Sequence, residues 1–190
     1  MSTPSISHTR VRELTTIALI AVMVLIAKTV LRMPIKLPGH SGVLWIALLL
    51  IGRFIVRRPG AATAMGLIGG TLIALFQPSD AGLLFSVAKY VLPGLVLDVL
   101  APLFGARFDL FMPAIVSGAT AHASKVAVDL VQGCVAGLRG AFLLAGTTAA
   151  LVFHIAFGAL GGLVAVLVLR MLIRARVPQV VRVAGNGDST

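Results

Sequence analysis

Long apolar runs, separated by short breaks rich in Pro, Gly or charge, make up nearly the whole chain. Continuous runs of this kind predict helices, because a strand pattern would alternate with a period of two. Six helices are predicted, at about residues 14–31, 42–55, 61–76, 82–104, 110–131 and 141–173. The third opens after the breaker "RRPG" and the fourth after "QPSD". Pro113 falls in the first turn of the fifth, where a missing N–H is harmless. The sixth exceeds the ~20 residues that cross a ~30 Å hydrocarbon layer, so it is expected to tilt or protrude. Residues 1–13 read as a polar N-terminal tail, 14–176 as the helical domain, and 177–190 as a polar tail expected to be disordered.

Composition turns this pattern into a membrane reading. Of 190 residues, 58% are hydrophobic and only 12% charged, with mean hydropathy +1.05. A soluble domain of this size carries about twice that charge. The expected class is an all-α integral membrane protein, a bundle of six transmembrane helices. The first run lacks an Ala-x-Ala-like cleavage site and is read as a retained helix. A net charge of +10 suggests nucleic acid at first sight, but the basic residues sit at the ends of apolar runs with no interleaved aromatics, so no nucleic-acid partner is expected. With the N-terminus in the cytoplasm, that side receives ten arginines: 10, 12, 53, 57, 58, 107, 170, 174, 176 and 182. The outside receives three basic residues, Arg32, Lys36 and Arg139. Both termini are therefore expected to be cytoplasmic. The single cysteine, Cys134, excludes an intrachain disulfide and a multi-Cys metal site.

Three lysines remain inside apolar runs. Lys28, near the outer end of the first helix, can snorkel to the interface. Lys89 and Lys125 lie deeper and call for a partner or an aqueous pocket. Helix five carries the sharpest signal, "SGATAHASKVAVDLVQG". His122, Lys125, Asp129 and Gln132, at ~100° per residue, share a stripe less than a quarter-turn wide. Gly118 continues the stripe with no side chain, leaving room for a ligand or a neighbouring helix. Lys125 and Asp129, spaced i,i+4, are able to neutralise each other. The stripe is read as a pocket wall, against the alternative of a structural ion pair. On helix four, Lys89 and Tyr90 lie in the outer part, and Pro93-Gly94 frees a backbone carbonyl beneath them. Asp98 lies on nearly the opposite side, and either bonds a neighbouring helix or lines the pocket. Helix six offers Thr147 and His154 on one face.

No nucleophile elbow, His-Glu-x-x-His or phosphate-binding Gly-rich loop occurs, so no enzymatic activity, cofactor or metal is expected and the chain has no ATP-binding loop of its own. Small residues mark helix contacts. Helix one places Thr15, Ala18 and Ala21 on one surface, and helix six carries Gly158 and Gly162 as Gly-x-x-x-Gly.

Six short helices, cytoplasmic termini, an alanine-bearing first helix and a Gly-rich last helix ending "GALGGLVAVLVLR" resemble the substrate-binding S component of an energy-coupling factor (ECF) transporter. The resemblance covers about residues 11–176. It implies a multi-pass protein of a prokaryotic cytoplasmic membrane that captures a vitamin or vitamin precursor from outside. Its implied partners are an ECF transmembrane coupling protein and ATPase subunits, met through small residues on helix one, here Ala18 and Ala21. The usual Ala-x-x-x-Ala spacing is replaced by Ala18 to Val22.

The resemblance also gives a role to "MPIKLPGHSG", the loop between helices one and two: a lid over the pocket. Pro34 and Pro38 stiffen it, Gly39 and Gly42 allow a sharp turn, and Lys36, His40 and Ser41 offer polar contacts. Substrate contacts are thus expected from Lys36, His40, Ser41, Lys89, Tyr90, His122, Lys125, Asp129 and Gln132, with Trp45 near the mouth. Two other readings stay open. A stand-alone proton-coupled secondary transporter would use Asp98 or Asp129 with a His, although no internal repeat is present. A structural or assembly membrane protein would explain the Gly-x-x-x-Gly but not the stripe.

Overall fold

A helix that is apolar nearly all round belongs at the centre of a bundle, and ten of the 14 residues of Gly42–Ile55 are buried. The computed structural model describes residues 5–29, 39–78 and 82–185. Its helices are α1 (Ser5–Thr29), α2 (Gly42–Ile55), α3 (Ala61–Phe76), α4 (Gly82–Leu103), α5 (Phe111–Val135), α6 (Gly140–Arg174) and α7 (Pro178–Gly185), and no strand occurs among the described residues. α2 touches all six others and supplies the largest buried side chains, including Trp45, Phe54, Ile46, Leu49 and Leu50. The bundle has two ends. One gathers Arg53, Arg57, Arg107 and Arg170; the other holds residues 39–41, Gln77 and Gln132.

Two helices, α4 and α6, are long and apolar enough to cross a membrane, while α2 and α3 are apolar but shorter. Large apolar side chains also face outward along the bundle, among them Leu19, Ile26, Leu84, Phe142, Val152 and Met171.

α5 packs closely on α6. A Cβ on Gly118 would strike the Gly158 carbonyl oxygen, one on Gly158 the Gly118 carbonyl oxygen, and one on Gly162 the Ala114 carbonyl oxygen. The Gly-x-x-x-Gly of α6 therefore serves packing within the bundle, and the room that Gly118 leaves is taken by α6 rather than by a ligand.

At the arginine end, α2, α3 and α4 are clamped by one carboxylate. Asp98 pairs with Arg53, Nε to Oδ1 2.7 Å. Its other oxygen accepts hydrogen bonds from the Thr63 backbone N–H at 2.8 Å and the Thr63 hydroxyl at 2.7 Å. α3 begins after Gly60 at φ +81°, with no side chain of its own capping the first turn. Asp98, from another helix, supplies the negative charge that a helix N-terminus favours. Of its two expected roles, Asp98 thus takes the helix-bonding one.

Two boundaries differ from expectation. α1 starts at Ser5 rather than near residue 14, because nothing between Ser5 and Leu14 is Gly or Pro and the polar segment simply continues the helix. The C-terminal tail, expected to be disordered, forms α7 over its first part. Pro178 sits at the first helical position, which suits it. Val180 is buried, and the Arg57 guanidinium donates to the Val183 carbonyl at 2.8 Å. Residues 186–190 of that tail lie outside the described residues.

Candidate functional site

The α5 stripe forms as its spacing predicts, but its members serve three neighbourhoods at the end opposite the arginines. Asp129 and Gln132, one turn apart, jointly hold a lysine from α4. Lys89 Nζ lies 2.8 Å from Asp129 Oδ1 and donates to Gln132 Oε1 at 2.8 Å. The expected Lys125–Asp129 pair is therefore not made. The carboxylate turns across the helix interface to Lys89, which also finds an amide acceptor there. Pro93, four residues beyond Lys89, has no N–H to give the Lys89 carbonyl, and α4 nevertheless runs unbroken from Gly82 to Leu103.

Lys125 points elsewhere. Together with Lys28 of α1, Lys89 and Tyr90 of α4, and Gln77 and Ser86, it lines a cavity of about 290 Å³ between α1, α3, α4 and α5. No hydrogen bond or ion pair joins Lys125 to any described residue. An ammonium in apolar surroundings without a counter-charge is unfavourable by several kcal/mol or more. Lys28, expected to snorkel outward, instead lines the cavity and donates to Ser41 Oγ at 2.9 Å. Because α1 stops at Thr29, Lys28 sits in its last turn and reaches across to the start of α2.

His122 belongs to the loop rather than to the cavity. Its Nε2 lies 3.0 Å from the Gly39 carbonyl oxygen, and since a carbonyl only accepts, Nε2 carries the donated proton. Gly39, at φ +80°, makes the turn that this requires, and its carbonyl also accepts from the Gly42 N–H at 2.7 Å. The imidazole is fully buried. Trp45 meets it edge-on with ring centroids 5.3 Å apart, and His154 packs on it at 4.6 Å. His154 in turn donates from Nδ1 to the Ala150 carbonyl at 2.7 Å.

The remaining expected residues divide as follows. Trp45, expected near the mouth, is fully buried and reaches the cavity only through Tyr90, whose ring lies edge-on at 5.2 Å. The cause is its place in the first turn of α2, on the face that packs against Tyr90 and His122. His40 and Ser41 lie in the turn that ends the loop and do not line the cavity. Lys36 falls outside the described residues, as do Pro34 and Pro38. Ala18 is exposed on α1. Ala21, expected on a docking surface, has no exposed area; its carbonyl faces Gly69 of α3, so it packs inside the bundle. Sequence reasoning missed Gln77 and Ser86, whose only signal was a position beside breaks at one end of the bundle. Thr147 bonds its own helix, donating to the Leu143 carbonyl at 2.8 Å.

No family model matches the chain, and neither a curated protein nor a solved structure is significantly similar to it.

Proposed function

We propose that this chain is the substrate-capture S component of an ECF-type importer: a six-span bundle of a prokaryotic cytoplasmic membrane, both termini inside. It takes up a small vitamin-like molecule from outside and delivers it with a separate coupling protein and ATPase subunits. The observation that carries this reading is the cavity lined by Lys28, Lys89, Lys125 and Tyr90. It lies at the end of the bundle away from the arginines, where its lining residue Lys28 reaches Ser41 at the start of α2. The basic asymmetry puts that end outside, where a capture site belongs. Intramembrane lysines gathered round a cavity are a functional arrangement by default.

The proton-relay alternative is less well supported, because Asp98 and Asp129 are each held in an ion pair by a cation. Ala18 remains exposed on α1 as the small residue through which a coupling protein could approach; Ala21 does not.

Uptake is the direct test. Vesicles containing only this chain are expected to bind but not accumulate substrate, and accumulation is expected once an ECF coupling protein and its ATPases are added with ATP. Robust ATP-independent accumulation by the chain alone would favour the secondary transporter. Orientation has a built-in reporter in Cys134, which is exposed at the end of α5. In intact cells it is expected to react with a membrane-impermeant maleimide. A Gly60→Cys substitution in a Cys134→Ser background is expected to stay unlabelled until the membrane is opened. The reverse pattern would invert the topology.

A further inference from the structure

We infer that the cavity between α1, α3, α4 and α5 takes the carboxylate or phosphate of a small molecule, with Lys125 as its cationic contact. As to where that molecule comes from, this rests on the capture reading; as to the site itself, it rests on the charges alone.

Among the described residues lining the cavity there are three ammonium groups and no carboxylate. Lys89 is already answered by Asp129 and Gln132, and Lys28 is engaged with Ser41. Lys125 is the one left without a direct partner among the described residues. The carboxylate of its own helix, Asp129, has turned to Lys89 and attracts Lys125 only at a distance. A cationic ligand would be repelled by Lys125. A neutral ligand would exclude water from Lys125 and give it nothing in return. An anion supplies the missing counter-charge, and charge-assisted hydrogen bonds from an ammonium are among the stronger ones available. The volume, about 290 Å³, is at the small end for ligand pockets, which suits one ring or a short-chain acid. The Tyr90 hydroxyl, also on the lining, can serve the rest of such a molecule.

The chain's one tryptophan sits edge-on to Tyr90 at 5.2 Å, so its fluorescence reports on the cavity wall. The full chain, in nanodiscs of zwitterionic lipid at constant ionic strength, is titrated with inorganic phosphate, benzoate, benzamide and benzylammonium. Trp45 emission and the unfolding temperature are read together. Phosphate or benzoate is expected to shift both saturably, and benzamide and benzylammonium neither. Lys125→Met is expected to weaken anion binding by about tenfold or more, and Lys125→Arg to retain it. Without anion, Lys125→Met should be at least as stable as the parent, since it removes an unpaired charge; its loss of binding is then not a loss of fold.

No response to either anion, or an unchanged response in Lys125→Met, overturns the proposal. Benzamide binding as tightly as benzoate also overturns it while leaving capture intact. Nanodiscs containing phosphatidylglycerol separate the two sources of phosphate. If that lipid alone gives a Lys125-dependent stabilisation that benzoate cannot displace, the anion site stands. Its occupant is then a headgroup, and the capture reading fails for this cavity.

Discussion

Replacing Asp98 by alanine is expected to destabilise the bundle by about 3–5 kcal/mol, the range for stranding one partner of a buried ion pair. The side chains of Arg53 and Asp98 are 5% and 9% exposed, so the pair is largely withdrawn from water. Arg53 would keep only its bond to the Val56 carbonyl, Nη1 to O 3.1 Å. The same substitution removes the acceptor for the Thr63 N–H and hydroxyl, and leaves the first turn of α3 uncapped. These two losses can be separated. Arg53→Met combined with Asp98→Leu removes both charges and should recover most of the ion-pair loss. A residual deficit of about 1 kcal/mol should remain from the missing cap. Thermal or denaturant unfolding of the purified variants in one detergent measures all of this. A single Asp98→Ala variant as stable as the parent would mean that the clamp between α2, α3 and α4 contributes nothing.

The fold was legible where the chain's own periodicity decides it. Apolar runs and their Pro/Gly breaks place α2 to α6 within a few residues of where they lie. The alignment of His122, Lys125, Asp129 and Gln132 follows from helix geometry alone. What was not legible is which neighbour each side chain finds. The i,i+4 spacing made Lys125 the natural partner of Asp129, but that rule describes an isolated helix. In the bundle, Lys89 of α4 offers the carboxylate and Gln132 a shared donor. α1 is apolar nearly all round in its second half, so nothing in its sequence says that Ala21 faces α3 while Ala18 faces out. The tail beyond residue 177 is polar on average, yet Val180, Val181 and Val183 put apolar side chains at close spacing. The average hid the short helix α7 that Val180 anchors.

The second large effect is expected at Gly42, where one methyl group should unhook the loop from the bundle. A Cβ on Gly42 would land on the His122 imidazole. That ring cannot retreat, because Trp45 and His154 pack against it at 5.3 and 4.6 Å and it is fully buried. Gly42→Ala must therefore either break the His122 bond to the Gly39 carbonyl or push α2 away from α5. Overpacking of this kind costs about 1–3 kcal/mol. If the loop closes over a seated ligand, loosening its anchor appears mainly in the off-rate, as release of benzoate or phosphate faster by roughly tenfold to a hundredfold. His122→Ala, by contrast, leaves a cavity and loses the same hook without a clash. The double variant Gly42→Ala with His122→Ala should then be more stable than Gly42→Ala alone, because the new methyl gains the space of the imidazole. It should still release anion as fast as His122→Ala, since the hook is gone in both. Release rates from stopped-flow Trp45 fluorescence, set beside unfolding temperatures, distinguish the two effects. Recovery of stability without recovery of slow release is the signature of a latch, whereas off-rates equal to the parent in all three variants would reduce His122 and Gly39 to a packing contact.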